Sequence, residues 1–339
     1  MTGAPLDPSG GVLLVDKPAG VTSFAVVNAV RKTLVRAYPD LVPQRQAAGG
    51  PRPPRFKCGH AGTLDPLATG LLVVLVGKAS RLSHFLLGLD KTYAATVVFG
   101  TATDSLDADG EVVATAPVPA DPAVLAAVLD RFRGEISQVP PVISALKQDG
   151  QPLYKLVRAG KDVVVPAART VTIDRLELTA VRWAGPARAA DFVVGCSSGT
   201  YIRSLARDIA AAAGTVGHIG ALRRLAIGPF AVGDAVTGVM TMNGAELAGH
   251  LRPAAAALPH VPSLTVTDDE AARLRQGGQP LPAWLDRLDG PPVAVGKSDP
   301  LFCMLDGMGR LVAVGRLEPG TNTPSLAMGI PAPEVTNCD

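Results

Sequence analysis

Cysteine and histidine are scarce in this 339-residue chain, and where they occur they are scattered. Cys58, Cys196, Cys303 and Cys338 form no Cys-x-x-Cys pair, and His60, His84, His218, His250 and His260 fall at no metal-ligand spacing. Neither a disulfide framework nor a metal site is indicated, and reduced thiols fit a cytoplasmic setting. No uncharged apolar run reaches the roughly 18 residues that a spanning helix requires. The start, MTGAPLDPSGGVLLVDKPAG, lacks the basic residues and long apolar core of a secretory signal. A soluble protein without membrane attachment is the expectation. No Gly-x-Ser-x-Gly elbow is present, which sets aside the serine-hydrolase arrangement. A phosphate loop also fails in GLLVVLVGK: too many residues separate Gly70 from Gly77, and Ala79 stands where Ser or Thr is needed.

What is present is enough apolar material for a large core. At 47% hydrophobic and 18% charged, the chain can form a main domain and a smaller one. A net charge of +2 says little about partners, but its distribution says more. Arg31, Lys32, Arg36, Arg45, Arg52, Arg55 and Lys57 stand against a single acid, Asp40. Such a block attracts a polyanion, although a solvated face carries the same charges.

GVLLVDKPAG reads as a short buried strand entering a Pro-Gly turn. TSFAVVNAVRKTLVRAY then sets Phe24, Val27, Val30 and Leu34 at helical spacing behind a Thr/Ser cap. Residues 38–55, broken by Pro and Gly with no apolar period, read as a flexible surface insertion. KASRLSHFLLG is a short helix, and KTYAATVVFG alternates Tyr93, Ala95, Val97 and Phe99 along one strand face. LDADGEVVAT turns back through its Asp-Gly. DPAVLAAVLDRFRG has Asp121 as cap, Pro122 at the first helical position and Gly134 at the stop. QPLYKLVRAG reads as another helix and TVTIDRLELTAVRW and AADFVVGCSSG as strands. TYIRSLARDIAAAAG is a helix that turns Ile202, Leu205 and Ile209 to the core. Strands and helices in irregular order give an α+β class. Pro253, Pro259 and Pro262 around an alanine run mark a boundary, dividing 1–250 from a small β-rich module at 262–339 with a loose tail.

One acid stands out. In GHAGTLDPLATGLL, Asp65 lies between a Gly- and Thr-rich turn and an apolar strand, and an isolated Leu-Asp-Pro is most simply a turn. Its company changes that reading. DKPAG (16–20), GHAGTLDPLATGLL (59–72), DKTYAATVVFGTATDSLDADG (90–110) and CSSGTYIRSLARDIA (196–210), in that order, resemble the bacterial tRNA pseudouridine-55 synthases of the TruB family. QVPPVISALKQDGQPLYKLVRAG and IGALRRLAIGPF extend the resemblance to about residue 230.

The resemblance implies an α+β pseudouridine synthase domain over 1–250, with a mixed, largely antiparallel sheet flanked by helices, and a PUA-like RNA-binding module over 262–339. It implies a cofactor-independent enzyme acting on the T-arm stem-loop of tRNA, a monomer with no obligatory protein partner. Asp65 matches the family's nucleophile, which either attacks the ribose or takes a ribose proton to assist glycal formation. Arg203 matches its partner arginine. Tyr93 matches the aromatic that stacks on the extruded uracil, recovering stacking lost when the base is flipped. His60 matches a residue that displaces loop bases, and Tyr201 and Lys17 match further substrate-binding positions. The 38–55 insertion and the region after 262 depart from the family pattern. Two rivals remain: a guide-RNA-dependent pseudouridylase of the dyskerin type, and an RNA-folding chaperone without catalysis. Leu67 and Ala68 favour the stand-alone form over the first, because the guided form usually has Lys-Val there.

Overall fold

The computed structural model describes residues 10–39, 56–184, 188–296, 298–318, 320–321 and 323–330. The insertion read at 38–55 lies outside the described residues from 40 onward, as does the tail from 331. In chain order the elements begin β1 (Gly11–Lys17), α1 (Ser23–Ala37), β2 (Cys58–His60), β3 (Thr69–Val76), α2 (Ser83–Leu87), β4 (Lys91–Phe99), β5 (Thr101–Thr103) and β6 (Val112–Thr115). There follow α3 (Ala123–Leu129), β7 (Gly134–Gln138), β8 (Lys147–Gln148), β9 (Gln151–Pro152), α4 (Leu153–Arg158), β10 (Arg169–Arg182), β11 (Arg188–Cys196), α5 (Ile202–Ala212) and β12 (Gly217–Ile227). The last part contributes β13 (Phe230–Ala231), α6 (Gly244–Gly249), β14 (Arg252–Pro253), β15 (Ser263–Thr265), α7 (Asp268–Arg275), β16 (Val293–Ala294), β17 (Pro300–Leu305), β18 (Leu311–Leu317) and β19 (Pro324–Gly329). Two compact units result, one from Met1–Asp65, Leu71–Leu89 and Gly228–Asp339, the other from Pro66–Gly70 and Asp90–Ile227.

In the first unit β1 lies between β14 and β3, and β2 pairs antiparallel with β3, His60 opposite Val74. Strand β1 is completed by residues from far down the chain: Asp16 N–H donates to Val236 O at 2.9 Å, and Gly11 pairs with Pro253. Helix α1 starts as expected, with the Thr22 hydroxyl accepting the Ala25 N–H at 3.0 Å. Its buried face, however, is Ser23, Val26, Val27, Val30 and Leu34, while Phe24 is 74% exposed. At 100° per residue those five positions form one arc centred near Ser23, and Phe24 falls outside it. From Ser263 on, the unit has a second sheet, β15-β17-β18-β19 with β16 against β17. Its core is Leu264, Leu274, Trp284, Phe302, Met304 and Val312.

The second unit is a sheet in the order β12-β4-β11-β10-β7, every neighbouring pair antiparallel. Thr69 and Gly70 add a two-residue parallel pairing with Arg223 and Arg224. The sheet is therefore mixed and largely antiparallel, as the resemblance implied. Helix α5 lays Ile202, Leu205 and Ile209 on the face formed by Ala95, Val97 and Phe192. Two details differ from the sequence reading. Helix α3 stops at Leu129, a 3-10 turn follows, and Gly134, at φ +75°, opens strand β7 instead of capping a helix. Asp121 does hold the start, accepting the Ala123 N–H at 2.9 Å. No helix among the described residues is long and apolar enough to cross a membrane.

Candidate active site

The first unit holds Lys17, His60 and Asp65; the second holds Tyr93, Tyr201 and Arg203. Asp65 is half-buried on a short, pinned loop. Ala61 N–H donates to Val73 O at 3.0 Å, Gly62 takes φ +103°, and the Leu64 N–H donates to Ser23 Oγ at 2.8 Å. Loop and strand meet again at Thr69, so few residues are left to move around the carboxylate. His60 ends β2, partly buried. Lys17, at the end of β1, is fully buried, and its ammonium donates to Pro18 O at 2.9 Å and Val21 O at 2.8 Å. It braces the turn that leads into α1.

In the second unit, Tyr93 sits on β4 with Val194 on one side and Arg224 on the other. It is buried, on the same face as Lys91, Ala95, Val97 and Phe99. Arg203, in the first turn of α5, is 5% exposed and thoroughly engaged. Its guanidinium donates to Ser105 O at 2.6 Å and Ile143 O at 3.1 Å, and lies 3.6 Å from the Asp107 carboxylate. Asp107 is held in turn by the Ser105 hydroxyl at 2.5 Å and the Asp109 N–H at 3.2 Å. Tyr201, just before α5, is clamped at its backbone: Gln138 Nε2 donates to Tyr201 O at 3.1 Å, and Tyr201 N–H donates to Gln138 Oε1 at 2.8 Å. The Arg169 guanidinium covers one face of the Tyr201 ring at 4.6 Å in a cation–π geometry.

Sequence reasoning missed Ser23, Asp107, Gln138 and Arg169, whose partners lie far along the chain. Asp107 stands in the quoted segment DKTYAATVVFGTATDSLDADG, and Gln138 opens QVPPVISALK, but only the fold pairs them with the α5 segment.

Electrostatics narrow the choice of nucleophile. Burial pushes the Cys58 thiol up to about 11 and the Cys196 and Cys303 thiols to about 12, so none supplies a thiolate near neutrality. Burial, then the charge of Arg224, brings the Lys91 ammonium down to about 8. Among the described residues no group of three His, Cys, Asp or Glu is placed to hold a metal.

The N-terminal domain of the TruB family of pseudouridylate synthases matches residues 52–202, a span that takes in His60, Asp65, Tyr93 and Tyr201. A tRNA pseudouridine synthase B from Azoarcus sp. is 42% identical over 93% of this chain and 93% of its own. The chain belongs to the TruB family. Another tRNA pseudouridine synthase B, from Novosphingobium aromaticivorans, is 44% identical to this TruB-family chain over 79% of it and 84% of the relative. Among solved structures, a Cbf5–Nop10–Gar1 complex aligns with a TM-score of 0.65 at 25% identity, covering 95% of this chain and 84% of that one. An H/ACA RNP bound to a substrate RNA containing 2′-deoxyuridine aligns at 0.63 and 22%, covering 96% and 86%, a likeness of fold alone. The TruB-family chain thus has the α+β pseudouridine synthase fold that its motifs implied.

Proposed function

We propose that this chain is a tRNA pseudouridine-55 synthase, an isomerase that converts uridine 55 in the T-loop to pseudouridine. The observation that carries the reading is identity of 42% along 93% of both chains with a tRNA pseudouridine synthase B. The reaction breaks the bond from uracil N1 to ribose C1′, turns the base and rejoins it through C5, whose proton departs. It needs no redox change and no energy input. Asp65 acts on the ribose, either by attack at C1′ or by accepting a ribose proton, and both routes require it ionised. Arg203 serves as the partner arginine that the family resemblance assigns to it. Tyr93 forms the aromatic wall for the extruded uracil and assists loss of the C5 proton. His60 and Tyr201 hold the opened loop, and Lys17 contributes through the turn it braces. In this reading residues 1–250 carry the chemistry and 262–339 form the PUA-like RNA-binding module. The enzyme acts as a monomer in the cytoplasm with tRNA as its partner.

The second reading, a guide-RNA-dependent pseudouridylase, draws on the fold likeness to the H/ACA proteins. One experiment separates the two. Purified protein is incubated with unmodified tRNA, without guide RNA, and pseudouridine is mapped by carbodiimide-dependent primer stops. A stop at position 55 is expected with the native chain and none with Asp65→Asn. No stop with the native chain would overturn the proposal; tRNA bound but unmodified would point to the chaperone role.

A further inference from the structure

We propose that Ser23 is a positioning residue for Asp65, acting through the backbone of Leu64. The inference rests on the reading of Asp65 as the reacting carboxylate. Ser23 is the first residue of α1 and is 1% exposed. Its hydroxyl accepts the Leu64 N–H at 2.8 Å and donates to Leu64 O at 3.1 Å. The helix does not need that hydroxyl as its cap, because Thr22 already accepts the Ala25 N–H. Ser23 is free to reach 41 residues along the chain. There it satisfies both backbone polar groups of Leu64, a residue only 3% exposed.

The next residue is Asp65. With Ala61 tied to Val73 on one side and Leu64 tied to Ser23 on the other, the approach of the chain to the carboxylate is fixed at two points. Upstream, the buried Lys17 ammonium bonds Pro18 O and Val21 O and so fixes the turn that delivers Thr22 and Ser23. Removing the hydroxyl leaves the Leu64 N–H and C=O buried without that partner, and the loop shifts to satisfy them. A displacement of about 1 Å at a reacting group costs on the order of a hundredfold in rate. A clamp that merely stabilised the fold would instead show itself in melting temperature and leave chemistry alone.

The test uses the full chain and tRNA labelled with tritium at C5 of uridine. Ser23→Thr and Ser23→Val have the same shape and differ in the hydroxyl; Ser23→Ala removes the hydroxyl without adding bulk. Val27→Ala, on the same buried face of α1, destabilises the helix and leaves the Ser23 hydroxyl in place. Single-turnover rate at saturating enzyme, tRNA dissociation constant and melting temperature are measured for each. Ser23→Ala and Ser23→Val should lose about thirty- to a hundredfold in rate with binding within about threefold, while Ser23→Thr and Val27→Ala stay within about fivefold. Rates for Ser23→Ala and Ser23→Val near that of Ser23→Thr would overturn the proposal. So would a Val27→Ala variant that loses as much rate as Ser23→Ala. Should Ser23→Ala fail to fold, the Thr and Val pair decides. Asp65→Asn is run alongside. If it stays active, the reading of Asp65 falls; if it is dead while Ser23→Ala and Ser23→Val are fully active, only the positioning role falls.

Discussion

Around Phe302, the C-terminal sheet of the first unit buries Leu264, Leu274, Trp284, Met304 and Val312. Among the described residues of that sheet and its turns, the buried charge is Asp306, satisfied by Arg310 Nε at 2.8 Å and two backbone N–H groups at 3.0 Å. The second unit is built on similar aliphatic strands, but its sheet and helix α5 also bury Lys91, Gln138, Arg203 and Arg224. Replacing buried ions by well-packed apolar groups is often neutral or stabilising, so stability alone does not retain such residues. The contrast teaches that the two cores differ in kind: one is almost purely apolar packing, and the other accepts the desolvation of several polar and charged groups, among them Arg203 on the Ser105 and Ile143 carbonyls and Gln138 on the Tyr201 backbone.

The sharpest way to break that comparison exchanges one buried ion in each of the two cores. Arg203→Met should lower turnover at least about a thousandfold and leave tRNA affinity within about tenfold, since it removes a group proposed to act on the reacting state. Asp306→Asn should leave turnover at saturating tRNA within about threefold. Tritium release and filter binding measure both, and equal losses would erase the distinction. Phe302→Ala probes the apolar core in its own terms: about 3–5 kcal/mol of stability should go, read from urea midpoints. Gln138→Leu keeps volume but removes both bonds to the Tyr201 backbone, and turnover should fall about ten- to a hundredfold with little change in tRNA affinity.

The smallest effect is expected at Lys91, whose ammonium is pushed down to about 8. The unfolded chain keeps that proton up to about pH 10.4. Between those limits the unfolded state binds more protons, so stability rises with pH, and below about 8 the cost of burying the charge is carried in full. The buried thiols, raised by burial, act in the opposite sense. Comparing urea midpoints of the native chain and Lys91→Met from pH 7.5 to 10 isolates the lysine, and the gain with pH should be smaller in the variant. An identical pH dependence would show that the lysine is not titrating in the fold.

Much of the fold was legible because its signals are local. The alternation in β4 and the 3.6-residue pattern of α5 name their own buried faces, whereas Asp65 and Arg203 stand out only through the resemblance that the GHAGTLDP and GTYIRS segments carry. What escaped depends on distant partners. Phe24 fits a helical apolar period, yet Ser23 is the residue turned inward, drawn by Leu64. Strand β12 runs along β4 and touches β3, but Arg223, Arg224 and bulges near Ile219 and Arg224 hide its alternation. Gly134 looks like a helix stop and is a turn into β7. Asp107 and Gln138 bear no mark in their own segments of the α5 residues they serve.

Strand β1 also has a consequence for how the protein is made. Its pairing with Val236, Arg252 and Pro253 means that a segment emerging early from the ribosome waits for residues more than 200 positions later. At about 5–20 residues per second, that interval is on the order of 10–50 s, during which Val12, Leu13 and Val15, all buried in the finished unit, have an open strand edge. Residues 90–227 complete their own sheet within the same interval. Released fragments that end shortly before residue 236 should therefore protect β4 and β12 from protease better than they protect β1.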